Sequence, residues 1–312
     1  MILIKLKSFW KIRKTLESIF KLSASFIFNT IMRSNQRILM MFFGTLMLPF
    51  VCYGQEEVHQ NYSLFHPVPR AQMRDMETDR PDVTESPYTV DAGHIQYETD
   101  FVRLVKEKSE EQRTNTLLIN QANLKIGLTG STSIQIGFQT YGNQKETDIG
   151  SGSTETTHGF GDVTFRIKQN ILGNDDGNFA MALLPYVKFP TSKYDEDSRF
   201  EGGLIVPMQY KLPGEWNLGF QVEVDRLKDL DQQAMHTEFL QTLTLSHQLI
   251  KNIDGIAETY YTYDFKNHHF ANFLNAAIQV EIAKDLKFDA GINYGIQHDA
   301  EKHYFFGASY RL

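Results

Sequence analysis

From Gly93 onward, apolar and polar residues alternate and helical spacing is nearly absent. Alternation over four to eight residues marks a strand whose two faces meet different surroundings. Residues 160–171 set Val163, Phe165, Ile167 and Ile171 on one face, with Asp162, Thr164, Arg166, Lys168 and Asn170 on the other. The last strand sets Tyr304, Phe306, Ala308, Tyr310 and Leu312 against His303, Phe305, Gly307, Ser309 and Arg311. Twelve segments follow this pattern, near 93–106, 113–128, 132–141, 159–172, 178–190, 200–212, 215–226, 236–249, 253–265, 268–283, 286–298 and 302–312.

The connections alternate as well. Thr129-Gly130-Ser131, Gly173–Gly177, Leu212–Gly214, Lys251–Asp254 and Ala283–Asp285 are tight and rich in Gly, Asn and Asp, as reverse turns require. Those between them are mostly longer and more polar, with Gly142–His158 the extreme. Short turns at one end and long loops at the other predict a bacterial outer-membrane barrel. A soluble sandwich also alternates, but its strands are usually five or six residues long, whereas these run to ten or more. Trp216, Tyr261, Tyr263, Tyr304 and Tyr310 stand near the ends of apolar faces, as in an interfacial girdle. The expected fold is all-β, an antiparallel up-and-down transmembrane barrel of about 12 strands over residues 93–312, with lipid and the barrel-assembly machinery as partners. No strand is set apart as a flat subunit face, so the pattern assigns no oligomeric state.

The N-terminal 54 residues differ in kind. They hold eight of the 31 basic residues and one of the 38 acidic ones. Arg33 and Arg37 precede an apolar run, Ile38–Cys52, that closes on Cys52-Tyr53-Gly54. Basic start, apolar middle and small-residue exit predict a cleaved secretory signal over 1–54, with translation starting near residue 32 or with an extended basic region before it. The run is too short for a spanning helix of ~20 residues. After it, no cysteine remains and the net charge is −14, which disfavours nucleic acid as a partner and removes thiol chemistry and Cys-based metal sites. Export to the outer membrane of a Gram-negative cell is the expectation.

Residues 77–87, Glu-Thr-Asp-Arg-Pro-Asp-Val-Thr-Glu-Ser-Pro, resemble the N-terminal signature of a family of bacterial outer-membrane barrels named for the MetA pathway of phenol degradation. Residues 159–168 (Gly-Phe-Gly-Asp-Val-Thr-Phe-Arg-Ile-Lys), 183–191 (Leu-Leu-Pro-Tyr-Val-Lys-Phe-Pro-Thr) and 201–207 (Glu-Gly-Gly-Leu-Ile-Val-Pro) extend the likeness to the C-terminus. The resemblance implies a transporter-like barrel for small aromatic or other apolar compounds. It implies no particular substrate and no particular site.

If the apolar faces meet lipid, the opposite faces line the lumen. They carry Glu98, Asp100, Asp162, Arg166, Lys168, Lys188, Glu223 and Arg311 among their charges, and Tyr186, Tyr260, Phe273 and Phe305 among their aromatics. Such charges either select solutes or form ion-pair ladders that hold the barrel's shape. The preceding segment, 55–92, is acidic, and Pro81 and Pro87 keep it out of helix and sheet. It is either a disordered periplasmic leader or a plug folded into the lumen. As a plug it would set Asp79, Asp82 and Glu85 against Arg166, Lys168, Lys188 or Arg311, and Arg80 against an inward acid. No Gly-x-Ser-x-Gly elbow or His-Glu-x-x-His pair occurs, and His268-His269 falls in a turn. No enzyme, metal or cofactor is expected. The expected function is passive passage of small solutes; the alternative is a structural or adhesive barrel with a closed lumen.

Overall fold

The computed structural model describes residues 62–195, 198–229 and 234–312. The expected signal, 1–54, lies outside them. Thirteen strands follow a short leader: β1 Ile95–Lys108, β2 Gln112–Gly127, β3 Thr132–Asp148, β4 Thr154–Gly159, β5 Val163–Leu172, β6 Phe179–Phe189, β7 Glu201–Leu212, β8 Trp216–Lys228, β9 Met235–Ile250, β10 Ile253–Asp264, β11 His269–Ala283, β12 Leu286–Gly295 and β13 Lys302–Arg311. Each pairs antiparallel with its neighbour, and β1 closes on β13. Twelve strands form the ring, because β3 pairs with β5 over 132–137 and with β4 over 142–147. No described helix is long and apolar enough to cross a membrane, and crossing falls to the strands.

The twelve expected segments all appear, with ends shifted by a few residues, but two boundaries are corrected. Gly142–His158 is mostly not a loop: residues 142–148 and 154–159 form a hairpin that continues β3 beyond the ring. At its tip the Asp148 carboxylate accepts hydrogen bonds from the Ser151 amide (2.6 Å) and hydroxyl (2.7 Å), which hold it below the usual carboxylate range. The expected strand 159–172 starts only at Val163. Asp162 instead caps the next loop, accepting from the Thr191 and Ser192 amides and the Ser198 hydroxyl.

The tight turns adopt the backbone their residues suit. Asn252 (φ 65°) and Gly214 (φ 78°) take left-handed conformations, which Gly and Asn adopt most readily. One irregularity resets the alternation. Asn120 of β2 has φ 51°, and the register skips a residue there and at Phe101 of β1. Both Phe101 and Val102 consequently face outward, and Arg103 turns in. This is a β-bulge, which re-aims every side chain beyond it.

Burial is inverted relative to a soluble protein. Ile278 and Leu274 are exposed on the outer wall, while Lys168, Glu98, Asp100 and Gln221 are almost wholly buried inside. Exposed aromatics collect in two bands. Tyr210, Trp216 and Tyr310 lie near the short turns, and Tyr141, Phe270, Tyr294 and Tyr304 near the long loops. Trp216 also stacks on His247 at 4.2 Å. An outward apolar belt between aromatic bands fits a wall that meets lipid. Ile278 sits mid-strand on that belt, so Ile278→Lys should cost about 2–4 kcal/mol of folding free energy in lipid vesicles. On a soluble surface the same change would stay within about 0.5 kcal/mol. Urea titration of the vesicle-folded barrel measures the difference.

Candidate functional site

The leader enters the barrel from the short-turn end and leaves by the same end. Its first residues lie across the turns: the Leu64 amide donates to the Leu128 carbonyl (2.8 Å), and Arg74 pairs with Asp175 (3.2 Å). Val68, Met73 and Ala92 form a small buried cluster with Tyr62 against it. Residues 76–87 then turn through the interior. On the way out the Thr89 amide donates to the Asn174 carbonyl oxygen Oδ1 (3.1 Å), and the Gly93 amide to the Gly127 carbonyl (2.9 Å).

Inside, the barrel wall holds the segment by charge. Asp79 pairs with Lys168 (2.5 Å) and with Lys125 of β2, and its amide donates to Glu98 (3.1 Å). Lys125 also pairs with Glu98. Arg80 reaches the other way. Its guanidinium contacts Asp289 through two nitrogens (2.5 and 3.1 Å) and Asp100 through the third (2.7 Å). Such two-point contacts fix direction as well as charge. Glu85 pairs with Arg166, and more distantly with Lys168 (3.6 Å). Burial acts against the Asp79 carboxylate, but Lys125 and Lys168 together hold its pKa well below the usual range.

Hydrogen bonds to neutral groups of the leader complete the seat. Glu258 of β10 accepts from the Val83 amide (2.9 Å), the Thr84 amide (2.8 Å) and the Thr84 hydroxyl (2.6 Å). The Glu85 amide donates to Gln221 of β8 (2.8 Å), and Gln279 of β11 donates to the Arg80 carbonyl (3.2 Å). Val83 packs on the inward Tyr260–Phe273 stack, whose rings lie 4.5 Å apart. Two inward glycines make room. A Cβ on Gly307 would run into the Arg80 guanidinium, and one on Gly219 would come within 3.1 Å of Thr84. A buried segment with this many polar groups stays put because most of them meet a partner, the Glu85 Oε2 atom being an exception in hydrogen bonding among the described residues.

The structure brings some of the expected partners together and keeps others apart. Asp79, Glu85, Arg166 and Lys168 meet one another, and Arg80 meets inward acids. Asp82 meets no cation among the described residues: it is half-buried near Glu258, and desolvation together with that like charge raises its carboxyl well above the ordinary range. Lys188 pairs with Glu201 and Asp162, close to it across neighbouring strands, and not with the leader. Arg311 pairs with Asp285 (2.7 Å) and with Asp91 (3.3 Å), at the leader's exit and not at its apex. Glu223 faces inward and accepts from Gln221 (2.9 Å). Lys125, absent from the expected set, carries part of the charge on Asp79. Its flanks, Leu124 and Ile126, were the signal that could have found it.

Two cavities flank the segment. One of about 490 Å³ opens toward the long loops and is lined by Asp162, Tyr186, Lys188 and Glu223 among others. The second, about 210 Å³, lies toward the short turns beside Asn217, Asp254 and Lys287. Arg80, Asp82 and Glu85 line both.

The chain is similar to several solved structures, one of them at a TM-score that shows a shared fold. An outer membrane channel from Pseudomonas putida F1 aligns with a TM-score of 0.54 at 10% identity, over 76% of this chain and 100% of that one. The NanC porin aligns at 0.46 with 12% identity, over 69% and 100%, and the translocator domain of the autotransporter NalP from Neisseria meningitidis at 0.44 with 11%, over 70% and 88%. No curated protein matches the chain. The family model described as "Putative MetA-pathway of phenol degradation" matches residues 78–312, the leader's charged apex and the whole ring together, and the chain belongs to that family.

Proposed function

We propose that the protein is an outer-membrane conduit for small solutes whose own leader plugs the lumen from the periplasmic end. The observation that carries this reading is the pair of cavities with Arg80, Asp82 and Glu85 as their common wall. A twelve-stranded ring is wider than the eight-stranded type that its side chains fill. Here the surplus width is occupied by a segment of the same chain, held largely by side chains and not by a strand ladder. Passage is passive and requires the segment to shift. The solutes are small, and the family's name places aromatic compounds among the first to test.

A cross-link tests the need for movement. The Thr84 hydroxyl lies 2.6 Å from that of Thr244, and the sequence has one cysteine, Cys52, within the expected signal. Thr84→Cys with Thr244→Cys should therefore form a single defined disulfide in the processed chain. Oxidised protein in liposomes is expected to lose most solute flux, and a reductant to restore it. Flux that ignores the redox state would mean that solutes pass around a fixed leader.

A further inference from the structure

The leader's charges are not seated at random around the ring. Asp79 and Glu85 are held by Lys125 on β2 and by Arg166 and Lys168 on β5, whereas Arg80 is held by Asp100 on β1 and Asp289 on β12. In ring order β12, β13, β1, β2, β3, β5, the strands bearing Asp289 and Lys168 stand five steps apart of twelve, close to opposite walls. The mid-barrel therefore has a basic arc, β2 to β5, that adjoins an acidic arc, β12 to β1, with their far ends near opposite walls; Arg103 beside Asp100 and Glu98 beside Lys125 add one charge of the other sign to each. The adjacent residues Asp79 and Arg80 span the gap, one charge to each side. A field of this kind crosses the pore instead of running along it. It does little for a simple anion or cation, which one arc attracts and the other repels. It aligns a molecule that carries both charges.

Resting on the conduit reading above, we infer that this zone selects small zwitterions of the α-amino-acid type, the Asp79–Arg80 pair being the built-in occupant that they replace. The carboxylate goes to Lys125, Lys168 and Arg166, and the ammonium to Asp100 and Asp289. Phe305 lies on the ammonium side: the Arg80 guanidinium stands 5.9 Å from its ring centre and that of Arg103 5.0 Å, so an aromatic face already receives cations there. The larger cavity, about 490 Å³, is within the range of small-molecule sites and leads from the loop side to Arg80 and Arg166.

The test is efflux from vesicles holding the processed full-length chain in symmetric KCl, with alanine, glycerol, choline and isethionate as labelled solutes. Alanine is expected to leave at least about fivefold faster than the other three. Lys168→Gln should bring alanine efflux down to the rate of the other three solutes, whereas Asp299→Asn, at an exposed pair outside this zone, should leave the preference intact. Equal rates for the four solutes, or no passage of alanine, overturn the zwitterion inference. The conduit reading falls separately, only if a chain lacking residues 77–87 also passes none of them.

Discussion

Excising residues 77–87 raises single-channel conductance in planar bilayers several-fold over the intact chain. The removed stretch is the common wall of two cavities, so its loss joins them into one water-filled path. The ring itself should survive. Its strands are paired to one another all the way round, and residues 77–87 exchange hydrogen bonds with wall side chains but add no rung to those ladders. The leader's base also remains: Arg74 still pairs with Asp91 (2.7 Å), and Val68 and Ala92 still pack together. The wall charges that lose a leader partner (Asp100, Asp289, Lys125, Arg166, Lys168 and Glu258) then face water, where a lone charge costs far less than in a dry interior. An unchanged conductance would mean that ions already pass beside the leader and that it closes nothing. Silence in both the intact and the shortened chain would favour a closed barrel acting through loops such as the β3–β4 hairpin.

How much of this was legible in the sequence depends on what each signal encodes. Parity tells which face a residue is on, because lipid on one side and a polar interior on the other impose opposite demands on successive residues. That is why the inward position of Tyr260, Phe273, Phe305, Lys168 and Glu223 followed from counting. Parity fails at a bulge. Beyond Phe101 and Asn120 the phase is reset, so Arg103, which points in beside Asp100 (2.7 Å), was not reached by strict alternation. It fails also beyond the membrane. Residues 142–159 are solvated on both faces, show no alternation, and read as a loop although they pair as a hairpin. Parity also says nothing of height or azimuth. Lys188 and Arg311 face inward as expected, but they lie beside Glu201 and Asp285, which satisfy them before the leader's apex can. The leader's insertion was suggested by its prolines and charges, whereas the choice of Lys125 for Asp79 and of Glu258 for two backbone amides depends on three-dimensional neighbours.

Asp79→Ala tests which of these contacts holds the leader in. The substitution leaves Lys168, about 1% exposed, and Lys125, about 3% exposed, with an excess of buried positive charge. Breaking one partner of a buried ion pair costs about 3–5 kcal/mol, against about 0–1 kcal/mol for an exposed pair such as His269–Asp299. Loss on that scale falls on the seating of the segment and not on the ring. It should speed local opening, and with it amide exchange at Val83 and Thr84, by roughly two to four powers of ten. Hydrogen exchange read by mass spectrometry over residues 79–86 measures this directly, and Asp299→Ala serves as a control that should leave the segment's exchange unchanged. The pair Asp79→Ala with Lys168→Met should recover much of the protection, because it removes the orphaned charge along with its partner. If Asp79→Ala alone exchanges like the intact chain, the Glu258 clasp and the Arg80 contacts hold the leader unaided, and the basic arc is not what keeps it in.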